Sequence, residues 1–276
     1  MLILSFNRFK LPMNPLHITL LQMDLAWHDP EANRQLAESM LQTLDGSTDI
    51  ILLPEMFTTG FTNDVETNYE MMEGKTQDWM HQMAHQYKAW IGGSLIIKEK
   101  GSYYNRFLMV DEEDIVVEYD KRHLFRMADE HDYYMEGEEF VRCEWKDWRV
   151  APLICYDLRF PVWSRNKADH EGRLSYDLLI YVANWPKPRI AHWEALLKAR
   201  AIENQCYVAA VNRVGVDGKN IEYSGSSMIV NPFGEVIAYN SGDQTVLSAA
   251  LDPEPLIKFR TKLPFWKDTD NFEVFL

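Results

Sequence analysis

Short runs of apolar, often β-branched residues recur at 17–24, 49–55, 90–97, 148–154, 176–184 and 207–212. Each is too short for a buried helix and predicts a strand. The runs at 49–55, 148–154 and 176–184 have the continuous apolar character of strands buried on both faces. Between the runs the period changes. Residues 31–44 carry Leu36, Met40, Leu41 and Leu44 at helical spacing, and Asp45-Gly46 ends the pattern. Residues 76–88 and 190–205 predict two more helices. Segments 104–111 and 115–120 alternate as the arms of a hairpin do, with 111–114 as its turn. The last third, 224–251, is strand-rich, with turns at 231–234 and 241–242. Helices alternating with strands, with no linker or repeat, predict a single α/β domain over 13–276. Residues 1–12 contain an apolar run too short and too interrupted by charge for a signal core, and are expected to be a leader outside that domain.

Three of the predicted strands run straight into polar residues, at Glu55, Cys155 and Asn184. The C-terminal ends of strands are where open α/β sheets place their ligands. Cys155 is followed abruptly by Tyr156, Asp157 and Arg159, and Phe160-Pro161-Val162-Trp163 reads as a helix opening with proline in its first turn. A thiol at a strand-to-helix turn is held rigidly, and backbone N–H groups there favour a thiolate and can cradle an oxyanion. The plainer reading is a small buried hydrophobe, which suffices for Cys143 and Cys206.

Composition narrows the field. A net charge of −14 excludes the basic patches that nucleic acid or an anionic membrane would need. Three cysteines without metal-ligand spacing suit a reducing compartment, and no stretch is long and uncharged enough to span a bilayer, so a cytoplasmic protein is expected. His81 and His85 have the spacing of a zinc helix but lack the glutamate after the first histidine, which disfavours a metal site.

A thiol is mostly protonated at neutral pH and needs a base or a cation beside it. Histidine is the usual partner, and His123 is the most interesting of those available, although none sits at a strand end. Glu55, between Pro54 and Met56, and Lys121, in Tyr119-Asp-Lys-Arg-His-Leu-Phe125, are the stronger candidates. Carboxylates in apolar settings are rare unless used or paired, and partial desolvation makes them better bases.

Three blocks, Leu53-Pro-Glu55-Met-Phe, Asp120-Lys121-Arg-His-Leu-Phe125 and Leu153-Ile-Cys155-Tyr-Asp-Leu-Arg159-Phe-Pro, resemble those of the nitrilase superfamily of carbon–nitrogen hydrolases. The agreement runs from about His17 to the C-terminus, and the flanking segments look most like the omega-amidase branch. Asp129 departs from the pattern, since many members have glycine before the second glutamate. The resemblance implies a four-layer α-β-β-α sandwich and a homodimer. It assigns the catalytic glutamate, lysine and nucleophile to Glu55, Lys121 and Cys155, and a further glutamate near the substrate to Glu130. It implies no metal or organic cofactor.

The expected reaction is hydrolysis of a small-molecule primary amide through a thioester on Cys155. Lys121 and the Tyr156 N–H would hold the oxyanion, and the expected substrates are dicarboxylic monoamides such as 2-oxoglutaramate or 2-oxosuccinamate. Arg159 is the candidate partner for the distal carboxylate, unless it only pairs with an acid to hold its loop. Trp185 and Phe57 are candidate pocket walls. Rival readings are a hydrolase of nitriles, N-carbamoyl compounds or other amides, an idle scaffold, and a thiol redox sensor. An idle scaffold fits poorly with the presence of Glu55, Lys121 and Cys155 together, and a sensor with the absence of a nearby resolving cysteine.

Overall fold

The structure is a computed structural model, which describes residues 13–274. The expected leader at 1–12 falls outside the described residues. In chain order the elements are β1 (Leu16–Gln22), α1 (Pro30–Leu41), β2 (Ile50–Leu52), α2 (Val65–Asn68), α3 (Lys75–Tyr87), β3 (Trp90–Glu99), β4 (Ser102–Val110), β5 (Ile115–Asp120), β6 (Cys143–Trp145), β7 (Trp148–Ile154), β8 (Leu178–Ala183), α4 (Ile190–Asn204), β9 (Tyr207–Asn212), β10 (Val214–Val216), β11 (Glu222–Val230), β12 (Val236–Ser241), β13 (Thr245–Leu251) and α5 (Pro253–Lys262).

The strands form two sheets. The first has the order β13-β1-β2-β3-β4-β5, and the second β10-β11-β9-β8-β7-β6 with β12 paired to β11. β1, β2 and β3 run parallel, as do β7, β8 and β9, and the remaining pairs are antiparallel. The continuous apolar runs arise because both faces of these strands are covered, and the two-residue period then sorts side chains between layers. Leu16, Ile18, Leu20, Ile50 and Leu52 pack into the cluster shared with β7, β8 and β9 of the other sheet. Their neighbours Leu21, Ile51 and Leu53 point the other way, against Met40 and Leu41 of α1 and Trp79, Met80 and Met83 of α3. On the far side Trp193, Leu197 and Ala201 of α4 close the second sheet. The result is the four-layer α-β-β-α sandwich. Among the described residues no helix is long and apolar enough to cross a membrane.

One local expectation fails. No α-helix opens at Phe160; instead Cys155–Arg159 forms a short 3-10 turn, and Phe160 leaves it with φ −116° and ψ 85°. The buried Asp157 carboxylate explains the tight turn. It accepts from the Ile154 N–H at 3.0 Å, from the His123 N–H at 3.0 Å and from the Tyr119 hydroxyl at 2.8 Å, binding the turn to the segment after β5. These bonds hold the chain in a closed turn, so the expected helix N-terminus beneath the thiol does not exist.

Candidate active site

The parallel strands direct their C-terminal ends to one place, and the first sheet supplies Glu55 two residues beyond Leu53 of that edge. The turn after it is tight: Met56 has φ 43° and donates its N–H to Ser94 Oγ at 2.9 Å. Cys155, directly after β7, also lies in the left-handed region, with φ 42°. A non-glycine residue there is strained by about 1–2 kcal/mol, a cost the surrounding packing must offset. Lys121 follows β5, its N–H bonded to the Asn105 carbonyl at 3.0 Å and its carbonyl accepting from Gly137 at 2.9 Å.

The fourth residue, Glu130, arrives on the loop after Lys121, where it opens the second of two short 3-10 turns, Arg126–Ala128 and Glu130–Asp132, joined at Asp129. Asp129 has φ 56°, the conformation glycine takes most readily, and aspartate is one of the few other residues that tolerate it. Aspartate is thus compatible with a left-handed turn at this position.

These side chains form one buried network. Lys121 Nζ donates to Glu55 Oε1 at 2.8 Å and to both oxygens of Glu130 at 3.0 Å. Asn105 Nδ2 donates to Glu55 Oε1 at 2.8 Å and to Glu130 Oε1 at 3.2 Å. Glu55 Oε2 accepts from the Asn184 N–H at 2.8 Å, while Asn184 Nδ2 donates to the Glu55 carbonyl at 2.6 Å. Glu130 Oε2 also accepts from the Phe125 N–H at 2.5 Å. Glu55, Glu130 and Lys121 are almost completely excluded from solvent.

Two carboxyl groups share one ammonium in this buried network. Burial pulls the Lys121 ammonium down, but Glu130 and then Glu55 outweigh it and hold its pKa above the ordinary lysine value. Burial raises the Glu130 carboxyl, with Lys121 opposing and the Glu55 charge adding to the rise. Burial also pushes the Cys155 thiol well up, Glu55 pushes it further, and Lys121 only partly offsets them. Burial and the neighbouring carboxylate thus favour the protonated thiol over the thiolate expected of a helix N-terminus. The sulfur lies 3.9 Å from the Asn184 carbonyl.

Cys155 opens onto a narrow cavity of about 60 Å³, lined by Phe61, Phe125, Tyr156, Arg159, Trp185, Arg189, Ile221 and Tyr223 among others. Tyr156, Arg159 and Trp185 are thus where the sequence suggested. Phe57 is not. It is fully buried against Trp79, with ring centroids 5.9 Å apart, and its ring covers Gly93 of β3, where an added Cβ would come within 2.9 Å. The left-handed turn at Met56 sends Phe57 into the core, and Phe61 serves as the wall instead. Arg159 lies over the Trp185 ring at 4.7 Å and contacts His192 Nδ1 at 3.3 Å. Among the described residues it pairs with no carboxylate, so it is not a loop-holding ion pair. His123 bonds to Asp157 through Nδ1 at 2.8 Å and stacks on Phe160 at 3.8 Å, which commits it to the turn. His81 Nδ1 meets the Asp111 carbonyl at 2.8 Å.

Asn105, Phe61, Phe125, Arg189 and Tyr223 were not singled out from sequence. Asn105 carried only a faint signal, an amide beside Arg106 at the start of a predicted strand. Phe61, Phe125 and Arg189 are brought to the pocket by connecting segments whose course periodicity does not reveal, and Tyr223 by the start of β11.

Residues 17–261 match the sequence profile of the family described as Carbon-nitrogen hydrolase. The chain is 48% identical over 263 residues to Omega-amidase YafV of Escherichia coli (strain K12), covering 95% of this chain and 100% of that one. It is 36% identical to the 2-oxoglutaramate amidase of Bacillus subtilis (strain 168), over 91% and 96% of the two chains. Among solved structures, the CN-hydrolase superfamily protein XC1258 from Xanthomonas campestris superposes with a TM-score of 0.92 at 41% identity, covering 95% of this chain and 100% of that one. Saccharomyces cerevisiae Nit3 shares the fold, with a TM-score of 0.78 at 23% identity over 92% and 96% of the chains. With two sheets face to face and a buried network at their joined edges, the chain belongs to the carbon-nitrogen hydrolase family.

Proposed function

We propose that the protein is an omega-amidase that hydrolyses the terminal amide of 2-oxoglutaramate or 2-oxosuccinamate through a thioester on Cys155. The observation that carries the reading is that Cys155 shares one cavity with Glu55 and with Lys121, whose ammonium is held by Glu55 and Glu130, an arrangement suited to attack on a carbonyl with the proton passed to a fixed base. Glu55 Oε2, which takes one N–H from Asn184, retains a lone pair for the thiol proton. As the Cys155 sulfur bonds to the amide carbon, the oxyanion develops against the Lys121 ammonium and the Tyr156 N–H. Collapse breaks the C–N bond, and protonated Glu55 gives its proton to the departing ammonia. Water then attacks the thioester, losing a proton to Glu55, and the acid leaves as the thiol is restored. Glu130 holds Lys121 in place.

Two relatives whose names specify omega-amide substrates support the substrate class, and Arg159 beside the pocket supports a distal carboxylate. The family resemblance supports a homodimer, and the unpaired thiols a cytoplasmic setting. The deciding experiment is an ammonia-release screen across 2-oxo acid monoamides, neutral amides, nitriles and N-carbamoyl compounds. It is combined with Cys155→Ala and intact-mass analysis using a slow substrate. An acyl adduct on the wild type, its loss in Cys155→Ala and a preference for the monoamides are expected. Turnover by Cys155→Ala near the wild-type rate would falsify the mechanism, and a preference for nitriles or carbamoyl compounds would overturn the substrate.

A further inference from the structure

We propose that Arg189 joins Arg159 in a two-guanidinium clamp for the substrate carboxylate, and that Arg189 sets the preference for carboxylate-bearing over neutral amides. The inference rests on the omega-amidase reading above and adds to it a residue that neither the motif blocks nor the chemistry at Cys155 requires.

The two arginines reach the same cavity from different elements. Arg159 ends the turn that carries Cys155, and Arg189 immediately precedes α4. Each guanidinium lies over an aromatic wall: Arg159 over Trp185 at 4.7 Å, and Arg189 over Phe125 at 5.3 Å. Stacking occupies the face of a guanidinium and leaves the in-plane N–H groups, the donors that match a carboxylate, available at its edge. The two residues are also mechanically linked, because the Nε1–H of Trp185 donates to the Arg189 carbonyl at 2.8 Å.

Their lack of partners is the second observation. The chain holds 42 acidic residues against 28 Lys and Arg, so an arginine can readily find an acid. Others do: Arg106 pairs with Glu99, Glu118 and Asp120, and Arg149 and Arg260 share Asp177. Even the neighbouring Lys187 meets Glu222 at 2.6 Å. Among the described residues neither Arg159 nor Arg189 pairs with a carboxylate, and the Arg189 guanidinium donates no hydrogen bond. Arg159 keeps one contact, to His192, so Arg189 is the less committed of the two. Two like charges on the rim of a largely apolar cavity repel each other until an anion arrives. A carboxylate held between them gains two charge-assisted hydrogen-bonding partners at once. The amide at the other end of a short chain then reaches Cys155.

The test compares kcat/KM for 2-oxoglutaramate with that for butyramide in the wild type, Arg159→Met, Arg189→Met, Arg189→Lys and Arg189→Glu. The clamp predicts that Arg189→Met lowers the ratio of the two by about tenfold or more, mainly through KM. Arg189→Lys should recover part of the ratio by keeping the charge without the fork, and Arg189→Glu should depress it below Arg189→Met. An equal loss on both amides would mean that Arg189 only supports the Trp185 wall, and an unchanged ratio would mean that it does not meet substrate; either overturns the clamp. If the wild type itself shows no preference for 2-oxoglutaramate, the substrate reading fails and the clamp with it. That result is distinct, because it appears before any arginine is changed.

Discussion

At the scale of single residues, the electrostatics of Cys155 separate two quantities that are usually assumed to move together. Burial and then the Glu55 charge raise the thiol pKa, and Lys121 opposes them in favour of the thiolate. Glu55→Gln removes a negative neighbour while leaving Lys121 in place. The sign follows directly: with one anion fewer, the folded thiol pKa falls and the thiolate fraction at neutral pH rises. Turnover should move the other way, by at least about 10²-fold, because the proton acceptor is gone. The check is the pH profile of iodoacetamide alkylation at Cys155 alongside steady-state kinetics. An alkylation profile shifted to higher pH would mean that Glu55 stabilises the thiolate, against the charge arrangement described here. Glu55 and Cys155 could be read from the chain because they directly follow apolar runs, Lys121 because it lies in a recognisable block, and Glu130 only through the family resemblance. The electrostatic balance could not, since it depends on Glu55 from the loop after β2 and Lys121 and Glu130 from the loop after β5 being gathered into one buried space.

At the scale of elements, the site depends on tight turns at strand ends, and the turn after β7 has an unusual support. Asp157 accepts from two backbone N–H groups, a tyrosine hydroxyl and His123, joining the Cys155 turn to the segment that carries Lys121. Asp157→Asn keeps the shape but replaces an acceptor oxygen with a donor, so at least one buried N–H loses its partner. A stability loss of about 1–3 kcal/mol is expected, together with a kcat reduced at least about tenfold as the thiol shifts relative to Glu55. Urea unfolding and kinetics measure the two effects, and a variant with wild-type kcat would show that the turn does not position the nucleophile. The strands were legible because a run of apolar residues is enough to mark them. The turn was not: Phe160-Pro161 carries the local signals of a helix start, while the competing tie from Asp157 to Tyr119 and His123 is long-range. Phe57 was misplaced for a related reason, because the left-handed Met56 reverses the side on which the next aromatic falls.

At the scale of the whole molecule, the net charge of −14 is spread over the sandwich, with local balances such as Arg106 among Glu99, Glu118 and Asp120. Self-repulsion of this size opposes the compact state and is screened by salt. The Tm of the unliganded protein should therefore rise from low to physiological ionic strength; a fall would mean that ion pairs outweigh the excess negative charge. Two layers of sheet were not derivable from periodicity, which gives strands but not their partners, and came from the family resemblance alone. That layering has a consequence for the timing of chemistry in the life of the chain. Glu55 and Lys121 belong to the first sheet and Cys155 and Asn184 to the second, so neither sheet alone contains a complete reactive unit. A newly synthesised chain that has formed its first half holds a base with nothing to deprotonate. One that has formed its second half, but not docked it, holds a thiol that can ionise as any exposed cysteine does but has no base, ammonium or closed pocket to direct it onto an amide. Amide hydrolysis thus begins only with the closure of the sandwich, and the same closure withdraws the thiol from indiscriminate reaction by burying it.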